Sequence, residues 1–233
     1  VPIPRNPGAM TFINLHEVEA LARAALPPQT WDYYAGGAND EVSLGWNRRG
    51  FDDLALRPRV LVDVARRDLS TTLLGHSVPI PIVVAPMAFQ RLAHPDGELG
   101  IARAAAALGV PMAVSTFATF SLEEIRAGSS GPLWFQLYVH QDRGITGELV
   151  ARAAAAGYQA LVLTVDVPEI GRRERDERNG FRLSPELRVA NFVAPASAPL
   201  QGGAGGSGLA AFIHGMRDAT LSWKDLEWLQ GIA

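Results

Sequence analysis

Four short groups place hydrogen-bonding residues beside apolar runs: Ala85-Pro86-Met87-Ala88, Ser115-Thr116-Phe117, Gln136-Leu137-Tyr138 and Thr164-Val165-Asp166. An amide such as Gln136 presents a donor and an acceptor in one plane and a threonine adds a hydroxyl, which suits the edge of a flat heterocycle carrying N–H and C=O groups. Polar groups in buried strands need partners. Gln136, Tyr138 and Thr164 therefore either satisfy one another or water inside a structural core, or point into a common pocket and bond a flat cofactor. Arg172-Arg173 could hold a carboxylate bidentately, although Glu174-Arg175-Asp176-Glu177-Arg178 follows at once and a solvated charged run is the plainer reading. Tyr33-Tyr34 read on their own as amphipathic core or surface residues. The five histidines, His16, His76, His94, His140 and His214, fall in helices or loops. None has an acidic neighbour that recommends it as a general base, and none makes an H-E-x-x-H or similar pattern, so no metal is expected.

Composition narrows the setting. The chain has 233 residues, 48% of them hydrophobic, enough for a sizeable core. With no cysteine it cannot be a disulfide scaffold, bind a metal through thiolates or use a cysteine nucleophile. The formal charge is −3 and the basic residues are spread along the chain, so there is no electrostatic footprint for nucleic acid. An acidic small substrate must then be handled by local arginines. No apolar run approaches the roughly 20 residues of a bilayer span, and VPIPRNPGAM at positions 1–10 lacks the apolar core of a signal peptide. The expectation is a cytoplasmic protein with neither membrane nor nucleic-acid partner, in which residues 1–10 are a tail or tag.

The elements that position the four groups follow from periodicity. Residues 14–51 have helical apolar spacing broken at Pro27-Pro28 and Gly36-Gly37, which predicts two or three short helices. A polar, Arg-rich connector over 57–75 leads into 79-PIPIVVAPMAF-89, apolar without alternation, as in a strand buried on both faces. A helix over 95–109 follows, with acidic residues in its first turn and Gly109 at its end. The pattern repeats: strand 111–116 and helix 121–128, strand 133–139 and helix 142–157, strand 160–167. Four buried strands with helices between them predict a parallel sheet. The rhythm then breaks over 171–221, where 194–210 is rich in Ala, Gly, Ser and Pro and reads as a mobile loop or lid, before a last helix over 221–230.

A doubly wound sheet would carry a glycine-rich turn after its first strand, and 85-APMA-88 is not one. The α/β fold expected is a (β/α)8 TIM barrel, with chemistry at the C-terminal ends of its strands. Residues 1–233 read as one domain comprising N-terminal helices and about the first four βα units. Such a half-barrel would leave strand edges unpaired near 79–89 and 160–167 and invite association.

The motifs 31-WDYYAGGAND-40, 57-RPRVLVDV-64, 84-VAPMAFQRLAHPDGE-98, 134-WFQLYVHQDR-143, 163-LTVDVPEIGRRERDERNGF-181 and 220-TLSWKDLEWLQ-230 together resemble the FMN-dependent 2-hydroxy acid oxidases and dehydrogenases, the glycolate, lactate and hydroxymandelate oxidase group. The resemblance runs from about residue 12 to 233. It implies that the backbone of Pro86, Met87 and Ala88 approaches the flavin of FMN and that Ser115, Gln136 and Thr164 hydrogen-bond its ring. It also implies that Tyr33 and Tyr138 line the substrate site as catalytic-site tyrosines, that Arg173 helps bind the substrate carboxylate, and that Phe117 shapes the same pocket. It implies further that the histidine base, its partner arginine, the flavin-side lysine and the loops that hold the FMN phosphate come from the C-terminal half of the barrel, which is missing from residues 1–233 and which activity would require. The single lysine, Lys224, matches a structural position. The implied reaction is oxidation of a small (S)-2-hydroxy acid to the 2-oxo acid by oxygen, with hydrogen peroxide as product, in a homotetramer. Ala88, where dehydrogenase relatives often have glycine, inclines the reading to an oxidase. A dehydrogenase using another acceptor and a catalytically silent half-barrel are the alternatives.

Overall fold

The computed structural model describes residues 12–166, 171–184, 186–192, 216 and 218–233. Three helices open the chain: α1 (Leu15–Ala25), α2 (Pro28–Ala35) and α3 (Val42–Asp52). Their breaks fall where the sequence places them. Asn14 caps α1 by accepting from the Glu17 N–H at 3.0 Å. Pro28 begins α2 at a position where no amide hydrogen is needed.

The 57–75 connector is less featureless than its composition suggests. It ends in a hairpin of β1 (Thr71–Leu73) and β2 (His76–Val78), antiparallel, turning on Leu74 and Gly75 with φ of 46° and 83°. Two successive positive φ values match the right-handed twist of the flanking strands. His76 therefore opens a strand, although the sequence places it in a helix or loop. A second difference concerns 79–89, expected as a full strand. Only Val84 pairs there, bridging Met112 in parallel, with Val84 N–H donating to Pro111 O and Ala113 N–H to Val84 O, each at 2.9 Å. Pro79, Pro81 and Pro86 have no amide hydrogen, so the ladder cannot extend in either direction.

From there the sheet runs β3 (Met112–Val114), β4 (Leu133–Leu137) and β5 (Leu161–Leu163), all parallel and in sequence order. Each strand pairs with the one that follows it, as in a barrel wall, with no reversal of order. The helices α4 (Gly97–Leu108), α5 (Leu122–Ala127) and α6 (Arg143–Ala155) connect them. The charged run after the fourth strand folds as a helix, α7 (Glu174–Asn179), stopped by Gly180 at φ 59°. The last helix, α8, covers Asp225–Ile232. The 194–210 segment lies outside the described residues.

β4 is buried on both faces, and Leu133, Phe135 and Leu137 form the core with Met112, Val114, Leu122, Ile125, Leu149 and Val150. β5 is only half-buried, and among the described residues it is hydrogen-bonded along one edge alone. Across the outer layer, Arg152 on α6 donates two bonds to Glu123 on α5, at 2.8 and 2.9 Å. That guanidinium holds the Glu123 carboxyl at about 2, below its ordinary 4.5. A carboxyl depressed in the folded state stabilises above its unfolded value and loses that contribution as pH falls through the folded one. Denaturant unfolding should therefore show stability falling between about pH 5 and pH 2, and Glu123→Gln should flatten that part of the profile. An unchanged acid limb in the variant would show the pair to be without effect.

Candidate active site at the strand ends

Parallel strands deliver their C-terminal ends to one side, and the structure uses this to assemble the polar groups. Gln136 projects from β4 and is 3% exposed. Its Oε1 accepts from the Thr116 N–H at 3.1 Å and the Ser115 hydroxyl at 3.3 Å, both just beyond β3. Its Nε2 donates to Thr164 Oγ1, one residue past β5, at 2.7 Å. The Thr116 N–H can only donate, so the amide's orientation follows from the network. Thr116 Oγ1 donates to the Gln136 carbonyl at 2.6 Å and accepts from the Tyr138 N–H at 3.2 Å, while the Ser115 hydroxyl accepts from the Phe117 N–H at 3.1 Å. Ser115, Gln136 and Thr164 thus do satisfy one another. They still keep capacity for a ligand: the second Nε2 hydrogen of Gln136 and the hydroxyl hydrogen of Thr164 are not used within this network.

Aromatic rings extend the site away from the sheet. Phe117, 2% exposed, stacks on Tyr138 with centroids 5.1 Å apart and on Phe89 at 6.0 Å. Phe89 reaches Tyr33 of α2 at 6.0 Å, and Tyr33 stacks on Phe181 at 4.8 Å with an interplanar angle of 6°. A continuous row of rings therefore joins Tyr138 to Tyr33. Burial, with the neighbouring Tyr34 as a lesser cause, raises the Tyr33 phenol well above its ordinary 10.0. Tyr33 accordingly keeps its proton at neutral pH.

The two arginines separate cleanly. Arg172 is exposed and forks onto Glu177 with bonds of 2.8 to 3.1 Å. Arg173 turns inward: its Nε donates to Asp176 at 2.6 Å, its Nη2 to the Tyr33 carbonyl, and its guanidinium carbon lies 5.5 Å from the Tyr33 ring centre. Asp176 is 3% exposed, so Arg173 is held by a buried carboxylate. These contacts dock α7 on α2. Pro86 and Met87 are exposed, Met87 at 41%, and Ala88 is half-buried, all following Val84 at the same end of the sheet. A cavity of about 380 Å³ opens past the ends of β4 and β5, lined by Tyr138, Thr164, Leu163, Asp218 and Trp223 among others.

All ten residues singled out in the sequence lie at this end. The partners Asp176, Phe89 and Phe181 are not legible there, because their signal is tertiary. His94 and His140 each use Nδ1 to accept a backbone N–H two residues on, at 3.1 and 2.9 Å. That is a turn-capping duty, and burial lowers the His140 pKa further.

The chain matches the family model described as FMN-dependent dehydrogenase over residues 22–233 and belongs to that family. It is 48% identical to glycolate oxidase 1 of Zea mays over 94% of its own length and 59% of that protein. With the L-lactate oxidase of Nostoc sp. it shares 48% identity, covering 95% of this chain and 62% of the relative. The solved structure of mandelate oxidase with (S)-4-hydroxymandelic acid superposes with a TM-score of 0.90 at 39% identity, over 95% of this chain and 62% of that one. The chain thus spans about three fifths of the length of these relatives.

The network makes its own energetic prediction. Gln136→Leu keeps the volume but leaves the Thr116 N–H without its Oε1 acceptor, at a cost of about 1–3 kcal/mol. Urea unfolding of the variant measures this. A change within error of zero would mean that the three strand ends do not depend on the amide.

Proposed function

We propose that this chain forms the flavin face and part of the substrate site of an FMN-dependent (S)-2-hydroxy acid oxidase, with oxygen as acceptor and the 2-oxo acid and hydrogen peroxide as products. The observation that carries this reading is the convergence at one sheet end of the Gln136 network with Tyr33, Tyr138 and Arg173. The donor set suits a flavin ring: Gln136 and Thr164 each retain a hydrogen for a ring acceptor, and Ser115 holds the amide in place. Ala88 carries only a methyl group, so the 86–88 backbone can approach a planar ring closely. The two-electron chemistry, removal of the C2 hydrogen with its electrons and their transfer to oxygen, belongs to FMN when it is bound.

The protein's part is orientation and charge placement. Arg173, with Nε and Nη2 fixed by Asp176 and Tyr33, directs the rest of its guanidinium at the substrate carboxylate. The protonated Tyr33 and the Tyr138 phenol hydrogen-bond the substrate's oxygens, and Phe117 supports Tyr138 from behind while keeping water out. The relatives named as glycolate and L-lactate oxidases support an oxygen acceptor. A cytoplasmic homotetramer completes the reading. The absence of cysteine is in keeping with a reducing compartment, and exposed apolar side chains such as Leu56 and Trp223, 98% and 87% exposed, favour association.

Completed by the barrel half that carries the family's histidine base and supplied with FMN, the protein should produce hydrogen peroxide from glycolate, lactate or mandelate in air, whereas residues 1–233 alone should not. In that completed enzyme Arg173→Ala should lower kcat/KM by about 1.5–3 kcal/mol, the worth of a hydrogen bond to a charged group, with flavin content unchanged. Loss of flavin with intact substrate kinetics would contradict the assignment of Arg173. Light scattering on the completed enzyme should give a mass near four chains, and a monodisperse monomer would remove the tetramer from the proposal.

A further inference from the structure

Glu98 lies in the first turn of α4 and is 0% exposed, yet none of the roles proposed above uses it. Its carboxylate is filled by three donors from two different loops. Oε1 accepts from the Gln90 N–H at 3.2 Å and the Thr119 N–H at 2.9 Å, and Oε2 from the Thr119 hydroxyl at 2.6 Å. Gln90 belongs to the turn that follows Pro86-Met87-Ala88, and Thr119 to the loop that follows Ser115-Thr116-Phe117. One buried side chain therefore spans the first two strand-end loops.

The backbone it braces is strained. Phe89 is a fully buried, bulky residue in the left-handed region, at φ 55° and ψ 42°. Such a conformation persists only where the surroundings over-determine it, and it gathers at functional sites. Four bonds surround it here: its N–H donates to Phe117 O at 3.1 Å, its carbonyl accepts from the Tyr34 hydroxyl and the Leu92 N–H, each at 2.8 Å, and the next N–H, that of Gln90, donates to Glu98. The Gln90 side chain then reaches back to the Met87 carbonyl at 3.4 Å. Gly97 lets α4 start this close, since at its φ of 43° a Cβ would lie 2.7 Å from Arg91 Cγ and 3.2 Å from Arg91 N.

We infer that Glu98 is a positioning residue that fixes the Pro86–Ala88 backbone against the Ser115–Gln136 network, and so sets the spacing at which a flavin ring is held. This rests on the flavin-binding reading above. The readout is the Kd for FMN, measured by quenching of flavin fluorescence, with thermal unfolding and far-UV circular dichroism followed in parallel. Glu98→Ala should raise the Kd at least tenfold. Glu98→Gln should return it to within about twofold of the wild type, because an amide oxygen can accept from both N–H groups while its NH₂ donates to the Thr119 hydroxyl. Thr119→Val, which removes one of the three bonds, should give an intermediate Kd. Val150→Ala, a core truncation on α6, should lower Tm with no change in Kd. An unchanged Kd in both Glu98→Ala and Thr119→Val, or a rise in Val150→Ala that matches theirs, would reduce Glu98 to general stabilisation and overturn the inference. If Glu98→Ala does not fold, Thr119→Val decides: a raised Kd supports the role and an unchanged one overturns it. Failure of the wild-type protein to bind FMN would overturn the cofactor reading itself and this inference with it.

Discussion

The Gln136 amide ties together the ends of three parallel strands. Its oxygen takes a main-chain N–H and a hydroxyl from the end of β3, and its nitrogen gives a proton to the end of β5. In a dry sheet these groups would be costly unless paired. Pairing them through one planar side chain makes the spacing between strand ends a property of covalent geometry, not of loop conformation. One Nε2 hydrogen of Gln136 and the Thr164 hydroxyl hydrogen are left unused within this network, which is why the flavin reading proposed above falls on them.

Helices that do not belong to the sheet are brought to it by a second device. Arg173 and Asp176 form an ion pair in which the carboxylate is almost wholly buried, and the same guanidinium holds the Tyr33 carbonyl. Burying charge is tolerable only when partners are supplied. Here they come from α7 and α2, so the cost of desolvation is offset only when the two helices meet. The ring of Tyr33 then continues through Phe89 and Phe117 to Tyr138, which makes the floor of the site rigid and largely apolar.

Much of this was written in local sequence. The helix breaks at Pro27-Pro28 and Gly36-Gly37, the βα repeat, and the polar residues closing each apolar run all depend on near neighbours or on simple periodicity, and they appear where the pattern puts them. Pro86 to Ala88, Ser115, Phe117, Gln136, Tyr138 and Thr164 share one end of the sheet because parallel strands carry their C-terminal residues there whatever the detailed packing, whereas Tyr33 lies in helix α2 and Arg173 at the N-cap of α7. The resemblance of the motifs to a known family rested on the same short segments.

What local pattern did not decide is equally specific. The apolar run 79–89 forms only a bridge at Val84, since three prolines remove the donors that its hydrophobicity alone does not reveal. The run at 171–180 reads as solvated charge, and half of it is: Arg172 lies on the surface with Glu177. Its neighbour Arg173 is distinguished only by Asp176 and Tyr33, and Tyr33 is 140 residues distant in sequence. Glu98 looks like an ordinary acidic residue in a helix's first turn, and Phe89 like one more strand residue, until the loops at Gln90 and Thr119 close around them. Periodicity and residue type determine which elements form and which end of the sheet carries chemistry, because those follow from short-range sterics and burial. Which polar group faces which partner is settled only when distant segments compete for the same few buried donors and acceptors, and that competition exists only in the folded chain.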